Sequence, residues 1–150
     1  MHPPPPVLPA GSVAPSIVLQ TVDGARFSAL PPPVAHALVL DFFQGMCSTC
    51  QQKADTLCSL ANTFPKLTVA AIDSGGESTA SVKAFAQRFF SRCSITVLLD
   101  PGLRVTRNYQ VSVVPTVYVV DMSGKIAYGD VGASGIDGLA AALRGLRGAA

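Results

Sequence analysis

The sequence predicts an α/β sandwich built on a mixed sheet. Three observations carry that reading. Short apolar runs alternate with longer segments whose apolar residues recur every three or four positions. Near the end, two strand-like runs flank Asp121-Met122-Ser123-Gly124, which adds an antiparallel pair to the alternating order. Between an apolar run and a helical segment stands Cys47-Ser48-Thr49-Cys50, marking a strand-to-helix junction.

The elements follow in order. Residues 1–15 are Pro-rich and read as a flexible arm. Its first residues, Met1 to Pro6, lack the basic and apolar regions of a signal peptide. They read either as a native tail or as what remains of a removed leader or anchor. Ile17 to Thr21 and Arg26 to Ser28, around Val22-Asp23-Gly24, form a short hairpin. Pro31-Pro32-Pro33 permits no regular element and marks a loop. Ala37 to Phe43 is almost wholly apolar, as a strand covered on both faces must be. A helix then runs from Cys47 to about Phe64, with Cys50, Ala54, Leu57, Ala61 and Phe64 on one face and Pro65 ending it. Leu67 to Ile72 is a strand, Ser78 to Phe90 a helix capped by Ser78, and Ile95 to Leu99 a third buried strand. Arg104 to Tyr109 makes a short helical turn. Thr116 to Val120 and Lys125 to Gly129 form the closing hairpin, and Ile136 to Leu146 the last amphipathic helix. Gly129, Gly132 and Gly135 lack the context of a dinucleotide fingerprint and read as a turn.

Composition narrows the function. A chain of 150 residues, 49% apolar and 13% charged, suits one compact domain that needs no metal or disulfide staple. A net charge of +2 without a basic run gives no sign of a nucleic-acid partner. No apolar stretch reaches the roughly 18 residues of a membrane span.

The dithiol points to thiol–disulfide chemistry. Two cysteines two residues apart can bond within one helical turn. At a helix start the unpaired N–H groups favour negative charge, and the thiolate is both that charge and the reactive form. The helix dipole contributes up to about 2 kcal/mol, or roughly one pKa unit, so bonding to the N–H of Cys50 or its neighbours must supply any larger shift. Cys47 is then the exposed nucleophile, and Cys50, one turn inward, the resolving thiol. Two ordinary buried thiols are the plain alternative. A structural zinc site needs four ligands, and the only histidines are His2 and His36.

The segment Val39 to Cys50 resembles the active-site strand and helix start of the thioredoxin superfamily. Val113-Val114-Pro115-Thr116 resembles its cis-proline loop. The leading hairpin, Tyr109-Gln110-Val111 and the run Val119 to Ile126 are similar to the TlpA-like branch, the redoxin or AhpC/TSA-like group. The likeness covers roughly residues 13 to 147. It implies a thioredoxin-like fold over residues 16–150, a central mixed β-sheet flanked by helices on both faces with an N-terminal β-hairpin. It implies a thiol:disulfide oxidoreductase with catalytic Cys47, Cys50 and Asp41. Met46, Val114, Pro115 and Thr116 would contact substrate. Asp41 occupies the position of a buried acid that relays a proton to and from the resolving thiol. A carboxylate satisfied by local hydrogen bonds, or one turned to solvent, is the other reading. Pro115 would be cis, leaving the Val114 backbone free to pair with an extended substrate; trans at an edge strand is the alternative. The partners implied are protein disulfides and a dithiol electron donor, with no cofactor or metal beyond the Cys47–Cys50 couple. A monomer, working outside the cytoplasm, is expected.

The sequence departs from the thioredoxin pattern in three places. Met46 replaces the usual tryptophan, Thr49 the usual proline, and Val69 stands where a lysine often accompanies the buried acid. A thiol peroxidase would require a proline and a threonine where Leu40 and Gln44 stand. A metal carrier of this fold typically uses Cys-x-x-x-Cys and a downstream histidine, and none follows His36. Gln51 excludes c-type haem attachment, which needs Cys-x-x-Cys-His. Cys58 and Cys93 read as small buried residues, or as a disulfide if their Cα atoms lie within about 7 Å.

Overall fold

The computed structural model describes residues 6–29 and 36–146. The expected triple-proline loop, His2 and the first residues of the expected arm lie outside them. Among the described residues seven strands form one sheet: β1 (Ile17–Thr21), β2 (Arg26–Ala29), β3 (Leu38–Phe43), β4 (Thr68–Asp73), β5 (Ile95–Leu99), β6 (Thr116–Val120) and β7 (Ile126–Val131). Their order is β2-β1-β5-β4-β3-β6-β7. The three inner strands β3, β4 and β5 run parallel, and the hairpins β1–β2 and β6–β7 close the two sides antiparallel.

Alternation along β3 separates two cores. Leu38, Leu40 and Phe42 face one side; Val39 and Phe43 face the other. The Val39 side receives the helices α1 (Ser48–Gln52), α2 (Ala54–Thr63), α3 (Thr79–Phe89), α5 (Gly132–Asp137) and α6 (Leu139–Arg144), through Cys50, Leu57, Val82, Ile136 and Leu139 among others. The Leu40 side is covered by α4 (Arg104–Asn108), through Val105 and the adjoining Tyr109, and by the N-terminal segment. Helices thus lie on both faces, five segments against one. No helix of the described residues is long and apolar enough to cross a membrane.

Three elements differ from the sequence reading. The helix expected from Cys47 to Phe64 is interrupted at Lys53, whose backbone sits at φ −95° and ψ 3°. The last helix begins earlier and breaks at Gly138, where the Tyr128 hydroxyl fills the space a Cβ would need. The three glycines do not share one turn. Gly129 lies inside β7 and Gly135 inside α5; Gly132, at φ +74°, makes the bend between them.

The described part of the expected flexible arm is held against the body. Gly11 N–H donates to Ile126 O at 2.7 Å, Ile126 N–H to Ser12 O at 2.8 Å and Ala14 N–H to Gly124 O at 2.9 Å. These bonds cover part of the free edge of β7. Val7 and Leu8 pack on the Leu40-side core, and Leu8 N–H donates to the Tyr118 hydroxyl at 3.0 Å. Proline content suggested looseness; the anchoring comes from residues between and beyond the prolines.

Candidate active site

Strand β3 ends at Phe43, and Gln44 to Met46 turn the chain into α1. Cys47 is the N-cap of that helix, at φ −75° and ψ 109°. In this extended backbone its side chain folds back over the first turn, and Cys50 N–H donates to Cys47 Sγ at 3.1 Å. The two cysteines form a disulfide with Cα atoms 5.2 Å apart. Cys47 is half-buried; Cys50 behind it is buried in the Val39-side core. The outer sulfur is therefore the one that a partner can reach.

The Val114–Pro115 peptide bond is cis. It brings Val114 O to 3.9 Å from Cys47 Sγ. Thr116 begins β6, and its hydroxyl donates to Val113 O at 2.7 Å, bracing the same loop. Met46 is 90% exposed and Val113 40%, so bare apolar side chains flank the sulfur. Loop 113–116 thus meets the dithiol across about 67 residues of sequence separation.

Asp41 lies in the middle of β3 with Ala71 and Val117 as its register neighbours. It alternates with Val39 and Phe43, so it faces the core layer that holds Cys50. It is 2% exposed, and its Oδ1 has no hydrogen-bond partner. Burial pushes its carboxyl up to about 7. Neither of the alternatives weighed from sequence, local satisfaction or a solvent-facing strand edge, describes this residue.

The structure adds a group that the sequence did not single out. Glu77 Oε1 accepts the Gly45 N–H at 2.8 Å, and Gln51 Nε2 donates to Gly45 O at 2.7 Å. Asp73, at the end of β4, accepts Gly75 N–H at 3.1 Å and Glu77 N–H at 2.9 Å. Burial, with the Glu77 side chain beside it, pushes Asp73 up to about 6. Glu77, on a connection that Asp73 braces, therefore holds the loop that presents Cys47. The one hint in the sequence is the acidic residue directly before the Ser78 cap, and nothing there links it to Gly45. Lys53 also pairs with Asp137, at 2.8 and 3.0 Å, joining the α1–α2 junction to α5.

Over residues 10–129 the sequence matches the AhpC/TSA family. The chain belongs to that family. It is 27% identical over 117 residues to the thiol-disulfide oxidoreductase ResA of Geobacillus thermodenitrificans, spanning 77% of this chain and 66% of that protein. The structure of a thiol:disulfide interchange protein DsbE from Chlorobium tepidum aligns with TM-score 0.80 at 22% identity, covering 91% of this chain and 96% of that one. A secreted disulfide oxidoreductase of Mycobacterium tuberculosis, homologous to E. coli DsbE, aligns with TM-score 0.74 at 21% identity, covering 87% and 96%. These likenesses show the thioredoxin-like fold. In this AhpC/TSA member, Leu40 is wholly buried in β3 and Gln44 donates through Nε2 to Ser74 O at 3.4 Å. Neither residue offers a hydroxyl to the sulfur. Among the described residues, no three His, Cys, Asp or Glu side chains gather as metal ligands would.

Proposed function

We propose that the chain is a thiol:disulfide oxidoreductase that reduces or exchanges disulfides in protein partners. The observation that carries this is the asymmetry of the two sulfurs. Cys47 accepts an N–H bond at the surface beside the Val114 carbonyl, while Cys50 is buried behind it.

In the reduced protein, the Cys47 thiolate attacks one sulfur of a substrate disulfide. The other substrate sulfur leaves as thiolate and takes up a proton. The Cys50 thiol then gives its proton to the Asp41 carboxylate, directly or through water, and attacks Cys47 Sγ. The Cys47–Cys50 bond forms, the mixed disulfide breaks, and substrate departs as a dithiol. A carboxyl poised at about 7 suits a group that must accept and return a proton near neutrality. A dithiol donor restores the couple with two electrons and two protons. Met46 and Val114 form the rim on which an extended substrate segment docks; Pro115 and Thr116, expected from the resemblance to contact substrate, are buried behind it and hold the loop that presents Val114.

Cys50→Ser removes resolution and should accumulate covalent adducts between Cys47 and substrate, visible as reductant-sensitive bands. A Cys50→Ser protein that turned over disulfide substrates at the parent rate would exclude the mechanism. The direction of transfer is read from the potential of the couple: about −270 mV marks a reductant and about −120 mV an oxidant. A site of action outside the cytoplasm fits this reading, since a structural neighbour is described as secreted. The chain spans about two thirds of the ResA relative's length, and that protein's activity supports the proposal.

A further inference from the structure

A second disulfide lies away from this site. Cys58, in α2, is bonded to Cys93, beyond the end of α3, with Cα atoms 5.2 Å apart and 35 residues between them in sequence. Their surroundings lack the donor that Cys47 has. The Cys47 sulfur faces Val114 O at 3.9 Å but also accepts the Cys50 N–H at 3.1 Å; the Cys58 sulfur faces Phe89 O at 3.8 Å and the Cys93 sulfur faces Phe90 O at 3.6 Å. Both oxygens belong to the C-terminal end of α3, where unpaired carbonyls concentrate negative partial charge. Cys58 is also buried, 8% exposed, in the core layer of Phe85 and Phe90.

Exchange of a disulfide requires one sulfur to leave as thiolate. Attack from solvent falls on the half-buried Cys93 and expels the Cys58 sulfur as an anion toward a carbonyl oxygen and an apolar core. Cys58 meets solvent only at the floor of a cleft it lines with Asp55, Arg88 and Arg92, 8% exposed, and attack on it expels Cys93 against another carbonyl. The nearby cations do not reverse this. Arg88 stands over the Phe89 ring at 5.1 Å, Arg92 is exposed, and Asp55 lines the same cleft.

We propose that Cys58–Cys93 is a structural cross-link that does not exchange: it closes once, during maturation, and stays closed while Cys47–Cys50 cycles. Closure removes two protons and two electrons from the thiols. A disulfide-bearing oxidant takes them and leaves as a dithiol, which places maturation in an oxidising compartment. The bond ties α2, the continuation of the active-site helix, to the α3–β5 connection. The claim rests on Cys47–Cys50 being the cycling couple, and site-resolved labelling keeps the two claims separate.

The purified, oxidised chain is equilibrated without denaturant in dithiothreitol buffers of rising reducing power, alkylated, and read cysteine by cysteine by mass spectrometry. Cys47 and Cys50 should be labelled first, with Cys58 and Cys93 still bonded when the first pair is nine-tenths open. Free thiols at Cys58 and Cys93 before reduction, or their opening with or ahead of the first pair, would overturn the proposal. Failure of Cys47 and Cys50 to open in any buffer would instead count against the proposed activity. A Cys58→Val/Cys93→Ala protein should melt about 10 °C lower and keep its disulfide reductase rate within about twofold well below that temperature. Loss of that rate in the folded double variant would mean the pair takes part in exchange, and would also overturn the proposal.

Discussion

Asp41 is a costly side chain to bury, since its Oδ1 finds no hydrogen-bond partner. Its folded-state carboxyl, pushed up to about 7 by burial, sits above the ordinary 3.8 of the unfolded chain. Below 3.8 both states hold the proton, and the group costs nothing through titration. Between 3.8 and about 7 the unfolded chain ionises first, so stability falls as pH rises. Above about 7 the full penalty is present, on the order of 4 kcal/mol. Asp41→Asn keeps the shape and abolishes the titration. Its melting temperature should therefore gain on the parent far more at pH 8 than at pH 4, by calorimetry at both. An equal gain at the two pH values would mean the carboxyl ionises as freely inside as outside. The same substitution should slow release of substrate from the mixed disulfide by roughly 10²-fold, the lower end for a lost acid–base group. A stabilised but slower protein is the signature of a residue kept for chemistry at the expense of folding.

At the scale of elements, the loop between β3 and α1 is held by the connection between β4 and α3. Glu77→Ala removes the acceptor of the Gly45 N–H and loosens the segment that aims Cys47. Loss of a charge-assisted hydrogen bond at a partly buried site should cost about 1–2 kcal/mol of stability. The rate of attack on a disulfide should fall by more than the stability change alone would give at assay temperature, while the resolution step is unaffected. Stopped-flow measurement of the two steps separates them. The contrast between Glu77 and Cys47 shows what a sequence discloses. Strand β3, the dithiol at its end and the Ser78 cap are local patterns, set by alternation, spacing and capping chemistry, and all could be read directly. Asp41 stood out because a carboxylate interrupts an apolar strand. Glu77, Gln51 and Lys53 gave no such signal, because their partners lie 32, 6 and 84 residues away and are chosen by packing. The interruptions at Lys53 and Gly138 were hidden for a similar reason. The apolar spacing runs across both, and at Gly138 a tyrosine from β7 occupies the space beside the helix.

For the whole molecule, two of the ties between parts far apart in sequence bear most on stability. One is Cys58–Cys93, which closes a loop of about 35 residues and, in the chain-entropy account, stabilises by about 4 kcal/mol. The other is a pair of tyrosines under the sheet. Tyr118, in β6, donates to Tyr109 O at 2.6 Å and accepts the Leu8 N–H at 3.0 Å; Tyr109 donates to Pro15 O at 2.5 Å. Their rings pack with Phe42 at centroid distances of 5.4 to 6.3 Å. A single hydroxyl thus joins the N-terminal segment, the end of α4 and a strand next to the dithiol strand. Tyr118→Phe keeps the ring and its aromatic contacts but deprives two backbone groups of their partner. The cost should be about 2 kcal/mol, or roughly 4–8 °C in melting temperature. Because the ring still fills its place, the sheet should stay intact and the loss should concentrate in the segment before β1. Hydrogen exchange should then show the amides of Leu8, Gly11 and Ala14 losing protection while those of β3 and β4 keep theirs. Uniform loss across the sheet would show that the hydroxyl stabilises the whole core. Unchanged exchange at Leu8 would show that the segment is held by its bonds to β7 and needs nothing from Tyr118.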